Sequence, residues 1–85
     1  MSTVVKDSID LLDRDRQRAD ALKDEGNTLL TAGKLSQAIE KYTAAIAILP
    51  SAIYYSNRAQ ALIKLESYGL AISDANEALK LAHDY

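Results

Sequence analysis

Displaced by 33 residues, this 85-residue sequence aligns with itself, and no other feature limits its fold as tightly. Leu22 falls on Tyr55, Gly26 on Ala59, Leu29 on Leu62 and Leu35 on Tyr68. Ala38 falls on Ala71, Ile39 on Ile72, Ala45 on Ala78, Ile46 on Leu79 and Ile48 on Leu81. Small residues meet small ones, and large apolar residues meet large apolar ones. A period of this length marks a repeat architecture, in which each copy is one supersecondary unit that buries its apolar face against the next.

Each copy reads as two helices. The first runs from about Asp13 to Thr31, where Gly33 is placed to end it in a left-handed cap. The second runs from about Leu35 to Leu49, ahead of Pro50, which disfavours helix at the residue before it. Ser51 is the expected N-cap of a third helix reaching about Leu65, and a fourth spans about Tyr68 to His83. Short links force consecutive helices to be antiparallel. One proline and three glycines in the whole chain leave little to interrupt them. The expected fold is all-α: tandem antiparallel helical hairpins stacked as a fragment of a right-handed α-solenoid. Within a unit at 13–85, the repeats fall at about 19–51 and 52–85. Residues 1–12 are expected either to be flexible or to form a partial cap, with Val4, Val5, Ile9, Leu11 and Leu12 folding back.

The small residues set the hairpin contacts. Gly26 and Ala38 are expected on facing helices of the first hairpin, and Ala59 and Ala71 in the second, where small side chains allow the axes to approach closely. Tyr42, Tyr55 and Tyr68 are assigned to the core. Gly69 either allows close helix approach or weakens its helix by about 1 kcal/mol.

Composition removes several classes of function. Cysteine is absent and His83 is the sole histidine, so neither a disulfide nor a tetrahedral metal site is expected, and no cofactor is called for. Ten basic residues stand against twelve acidic ones, and Arg14, Arg16 and Arg18 are interleaved with Asp13, Asp15 and Asp20, which argues against a nucleic-acid surface. No apolar run reaches the roughly 18 residues of a membrane span. The cytoplasm is the expected compartment, with the nucleus as an additional one. No serine or threonine has a histidine base within reach, and the chain by itself is expected to be no enzyme.

A binding surface is the remaining possibility. Lys23 and Asn27 are four residues apart on one helix face, and Asn57 and Lys64 are seven apart on another. If the first helix of each hairpin lines the concave side, these four residues share a groove. Asparagine can both donate and accept, and lysine gives charge-assisted hydrogen bonds to a carboxylate. An extended peptide ending in a carboxylate suits such a surface. The same letters also describe a solvated helix face, because Asp20, Asp24 and Glu25 surround Lys23 with local ion-pair partners.

The pattern Leu22-x-x-Glu25-Gly26-x-x-Leu29, followed by Ala38-x-x-x-Tyr42, Ala45 and Pro50, resembles the tetratricopeptide repeat family. The second copy keeps Tyr55, Ala59, Leu62, Ala71 and Ala78. It departs at Ala75, where that family usually has a large aromatic, and at His83, where it has proline. Lys23-x-x-Gly26-Asn27 and Asn57-Arg58-Ala59 resemble the chaperone-binding, carboxylate-clamp branch. The stretch from Ile53 to Ala59, with Glu66-Ser67-Tyr68-Gly69-Leu70-Ala71, is similar to the N-terminal domains of the protein phosphatase 5 type.

That resemblance implies a peptide-binding groove for the Glu-Glu-Val-Asp tails of heat-shock proteins 90 and 70, built here on Lys23, Asn27 and Asn57, to which helical spacing adds Lys64. It also implies a parent in which the domain targets and regulates a serine/threonine phosphatase. The alternatives are a module of a non-enzymatic adaptor co-chaperone, and a structural repeat that self-associates. In the resembling branch a third repeat supplies two further clamp cations. With that repeat absent here, the expectation is weak peptide binding by these residues alone. Two charge-assisted contacts fewer correspond to a loss of about 10²- to 10⁴-fold in affinity. Tyr68, Leu70, Ile72, Leu79 and Leu81 on the last helix are the expected self-association surface.

Overall fold

Four helices account for the described residues in a computed structural model that describes the backbone of residues 2–83 and the side chains of residues 7–83. They are α1 (Ser2–Thr31), α2 (Leu35–Ile48), α3 (Ala52–Lys64) and α4 (Tyr68–Ala82). The last three match the expected spans to within a residue. The first does not: α1 is 30 residues long and begins eleven residues before Asp13. At 1.5 Å per residue such a helix is about 45 Å long, which accounts for the 51 Å long dimension of the molecule. Residues 2–12 therefore continue the axis of α1 instead of folding back as a cap. Ile9, Leu11 and Leu12 are each more than half exposed along it, and the side chains of Val4 and Val5 lie outside the described residues.

The two hairpins close with the same C-terminal geometry. At the end of α1, Gly33 has φ 78°, its N–H donates to Leu30 O at 3.0 Å, and Lys34 N–H donates to Leu29 O at 2.9 Å. At the end of α3, Glu66 has φ 63°, its N–H donates to Ile63 O at 2.9 Å, and Ser67 N–H donates to Leu62 O at 2.8 Å. Both are Schellman motifs, each satisfying two terminal carbonyls. The repeat offset places Glu66 where the first hairpin has Gly33. Between the hairpins, Ser51 caps α3 as expected, its Oγ accepting from Ile53 N–H at 3.2 Å.

The core sits at the junction of α1, α2 and α3 and is built largely of alanine. One cluster joins Ala19, Ala45 and Tyr54, flanked by Leu22, Ile46, Ile48 and Leu49. The other joins Ala38, Tyr42 and Ala61, flanked by Leu29, Leu30 and Ile39. Side chains no larger than a methyl let the helices approach, and the two tyrosines fill the space between them. Tyr42 is the largest side chain fully removed from solvent.

The tyrosine assignments need correction. Tyr42 is core as expected. Tyr54, not Tyr68, is the second buried ring, since Tyr68 is 56% exposed at the start of α4. Tyr55 is half-buried, with the Arg58 guanidinium 5.3 Å from its ring centroid. Gly69 meets nothing within 4 Å, so it is no site of close helix approach.

Each hairpin also carries an ion pair at matching positions with the charges exchanged. In the first, Lys41 Nζ lies 3.8 Å from Glu25 Oε1. In the second, Arg58 grips Asp74 through two 2.7 Å hydrogen bonds, Nε to Oδ2 and Nη2 to Oδ1. Arg58 Nη1 also donates to Thr43 Oγ1 at 3.1 Å, tying α3 to α2 as well as to α4. Asp74 is buried, and this fork satisfies both of its oxygens.

Candidate peptide-binding site

Asn27 and Asn57 meet. They lie on α1 and α3, the first helix of each hairpin, and Asn57 Nδ2 donates to Asn27 Oδ1 at 3.3 Å. A second donor reaches the same oxygen from α2: the Tyr42 hydroxyl, at 2.5 Å. The packing that delivers it follows from Gly26. The Tyr42 ring lies against that glycine, where a β-carbon would come within 2.5 Å of Cε1 and 2.8 Å of Cδ1. The whole side chain, hydroxyl included, is buried, and the hydroxyl lies against Asn27, which is exposed. Burial pushes the Tyr42 phenol above its ordinary pKa, so it stays protonated and able to donate.

Lys23 lies one turn before Asn27 on α1, as its spacing requires. Its ammonium is 3.4 Å from Asp24 Oδ1, and its side chain is largely covered at 23% exposure. The local ion pairing foreseen from the acidic neighbours of Lys23 is thus real for Asp24. Asp20 is engaged elsewhere: the Tyr54 hydroxyl of α3 donates to its Oδ1. Burial is the first cause that raises the Tyr54 phenol, to about 12, followed by this hydrogen bond and the charge of Asp20. Lys64 is exposed two turns beyond Asn57 on α3, and it has no hydrogen-bond or ion-pair partner among the described residues.

The structure thus brings Asn27 and Asn57 into direct contact, sets Lys23 one turn away, and leaves Lys64 apart from all three. Two participants were missed in the sequence. Repeat spacing gives the Tyr42 ring its core position but carries no signal for its hydroxyl. Nothing in the spacing distinguishes Tyr54 from Tyr55. The signal for Tyr42 lay in the repeat itself, because the pair Gly26 and Tyr42 becomes Ala59 and Ala75 in the second copy. One member grows as the other shrinks, as expected of two residues in contact.

Chemically, this face presents donors. Asn27 Oδ1 is occupied twice, which leaves the N–H groups of Asn27 Nδ2, one N–H of Asn57 and the Lys23 ammonium as donors on this face, beside the Asn57 Oδ1 acceptor. A second surface is apolar. Tyr68, Leu70, Ile72 and Leu79 of α4 are each between 56% and 63% exposed. Beside them, shallow grooves between α3 and α4 are floored by Ala59 and Ala75, where the first hairpin has Gly26 and the filling ring of Tyr42.

Residues 9–53 and 23–84 both match the model of the tetratricopeptide repeat. The chain belongs to the tetratricopeptide repeat family. Its relatives carry these repeats in larger proteins. Serine/threonine-protein phosphatase T of Aspergillus oryzae is 47% identical over 74 residues, which is 84% of this chain and 15% of that protein. Human serine/threonine-protein phosphatase 5 is 41% identical over 81% of this chain and 14% of its own length. Small glutamine-rich tetratricopeptide repeat-containing protein 2 of Saccharomyces cerevisiae is 41% identical over 82% of this chain and 20% of its own length. The chain therefore spans a fifth or less of these relatives. Among solved structures, the first tetratricopeptide domain of Spaghetti (RPAP3), bound to the HSP90 peptide SRMEEVD, superposes with a TM-score of 0.77. It is 36% identical, over 81% of this chain and 56% of that one. These tetratricopeptide hairpins are a protein-interaction fold, and among the described residues no helix is long and apolar enough to cross a membrane.

Proposed function

We propose that the face formed by α1 and α3 binds the C-terminal carboxylate of an extended peptide of the Glu-Glu-Val-Asp type, such as ends heat-shock proteins 90 and 70. The observation that supports this most is the double occupation of Asn27 Oδ1 by Tyr42 and Asn57. It turns the Asn27 amide nitrogen outward beside Asn57 and Lys23. A face on which donors and one cation outnumber the single Asn57 Oδ1 acceptor favours a charged ligand that only accepts, and a carboxylate is such a ligand. The structural likeness to the Spaghetti domain, itself bound to a peptide ending Glu-Glu-Val-Asp, points the same way. Lys64 would add positive charge further along the peptide. Asp24 opposes binding, since the ligand must compete with it for Lys23.

In its parent the module would target and restrain an attached serine/threonine phosphatase, in keeping with the relatives of that name. The small glutamine-rich relative supports the alternative of an adaptor with no enzyme attached. The exposed apolar side chains of α4 favour a second contact, self-association of the isolated chain, which sedimentation at increasing concentration would reveal.

The peptide site is tested by titrating the isotopically labelled chain with a Glu-Glu-Val-Asp peptide. The side-chain amides of Asn27 and Asn57 should shift first and saturate together, at weak affinity. Asn27→Asp should abolish the response, because a second carboxylate then faces the first. Side-chain amides that stay still under excess peptide while another face responds would overturn the assignment.

A further inference from the structure

The geometry points to Tyr42 as a positioning residue that makes this site discriminate a peptide carboxylate from a carboxamide. The inference rests on the peptide-binding reading above and concerns the same face.

An exposed asparagine ordinarily has no preference between its two amide orientations, which differ only in exchanging oxygen and nitrogen. Asn27 is exposed, yet its oxygen is held by Tyr42 Oη at 2.5 Å and by Asn57 Nδ2 at 3.3 Å. Of the two, the tyrosine contact is the shorter and comes from the more rigid partner. The Tyr42 ring is wholly buried against Gly26, in a cluster with Ala38 and Ala61, so it cannot swing away to follow a flipped amide. Its hydroxyl is sealed from solvent, and Asn27 Oδ1 is the one acceptor for its hydrogen among the described residues.

A flipped Asn27 would turn its oxygen to the ligand and its N–H groups onto Asn57 and Tyr42; Asn57 can flip in turn to accept, but the buried phenol would be left with a hydrogen and no acceptor. The orientation held by Tyr42 instead presents N–H groups outward. A carboxylate accepts from them through either oxygen. A carboxamide has one accepting oxygen, no charge and an NH₂ group that must turn away from those donors, so it makes fewer and weaker hydrogen bonds there. Tyr42 touches no peptide in this arrangement and acts through Asn27 alone.

The second hairpin lacks the device. Its positions matching Asn27 and Tyr42 are Gln60 and Ala75, so neither the short amide nor the phenol is present. A phenylalanine at position 42 would fill the same space against Gly26. The hydroxyl therefore has a function beyond packing.

The test compares the unaltered chain with Tyr42→Phe, using two Glu-Glu-Val-Asp peptides that differ only in a free or an amidated C-terminus. Backbone spectra confirm that the variant keeps its fold. Side-chain ¹⁵N dipolar couplings of Asn27 in the free protein report amide orientation without any peptide. The unaltered chain should show one orientation and prefer the free acid. In Tyr42→Phe the couplings should average, and affinity for the acid should fall about 5- to 10-fold, the size of one hydrogen bond. Affinity for the amide should stay the same. Unchanged couplings, or an unchanged acid-to-amide ratio where the unaltered chain does prefer the acid, would overturn the role of Tyr42 alone. An unaltered chain that binds both peptides equally would overturn the role of Tyr42 and the carboxylate site together.

Discussion

Gly26 and Tyr42 occupy one another's space: the aromatic ring lies where a side chain at position 26 would begin, with Cε1 2.5 Å from an added β-carbon. That atom belongs to a buried ring with no room to retreat. Gly26→Ala should therefore destabilise the chain by about 1–3 kcal/mol, the range for overpacking, even though alanine is the better helix former by about 1 kcal/mol. A denaturant melt of the 85-residue chain measures it. A stabilising outcome would show that the ring has an alternative seat.

Glu66 offers the opposite opportunity. It adopts φ 63° at the end of α3, in the same motif that Gly33 completes at φ 78° after α1. The left-handed region costs an ordinary residue about 1–2 kcal/mol, a cost glycine does not bear. Glu66→Gly should raise stability by up to about 1 kcal/mol, less the greater entropy that glycine gives the unfolded chain. Gly33→Ala should lower it by about the same amount. Paired thermal melts decide the matter, and a Glu66→Gly variant that melts lower would place that entropy above the backbone strain.

These two positions also indicate what the sequence could and could not reveal. The repeat offset set the hairpins, the helix ends at Thr31 and Lys64 and the alanine-lined junction, because size complementarity persists through a 33-residue shift. The start of α1 was not legible. Residues 2–12 have helix-compatible letters but carry exposed apolar side chains, and Ser2, Thr3, Asp7, Ser8 and Asp10 are all N-cap types, so no single residue marks where the helix should begin. The side-chain network at the site was only half legible. Helical spacing placed Lys23 beside Asn27, but the meeting of Asn27 with Asn57 and Tyr42 depends on how three helices cross. Nor could Tyr54 be told from Tyr55 as the buried ring, since adjacent residues on a helix differ by 100° and the rotation of α3 was unknown.

Asp24 holds the Lys23 ammonium that the proposed peptide would use. Asp24 itself is well exposed, so their pairing is weak, on the order of 0.2–1 kcal/mol, and screened by salt. Asp24→Asn should release Lys23 and remove a charge that repels an acidic peptide. Affinity for a Glu-Glu-Val-Asp peptide should rise about 2- to 5-fold at low ionic strength, and the gain should shrink as salt is added. Calorimetric titrations at two salt concentrations test both parts. A gain independent of salt would mean that the substitution acts through structure instead of charge.

Tyr54 ties the second hairpin to the first, its ring seated with Ala19 and Ala45 and its hydroxyl donating to Asp20 of α1. Ionising that phenol would bury a negative charge next to an aspartate, which is why its pKa is pushed up to about 12. Unfolded, the same phenol titrates near 10. The folded state thus holds the proton more tightly, and the stability this confers is fully present below pH 10 and drains away as pH climbs through about 12. The contact between the hairpins should consequently be the first to fail in alkali, and α3 should part from α1 with it. Tyr54→Phe keeps the ring but has no proton to lose. It should be less stable at neutral pH by about 1–2 kcal/mol, for the lost hydrogen bond to a charged acceptor, and its stability should fall less steeply above pH 10. Denaturant melts across that window, read by circular dichroism alongside tyrosinate absorbance, follow unfolding and ionisation together. Parallel alkaline profiles for the two proteins would mean that Tyr54 ionises without regard to Asp20, and that the contact between the hairpins rests on the alanines alone.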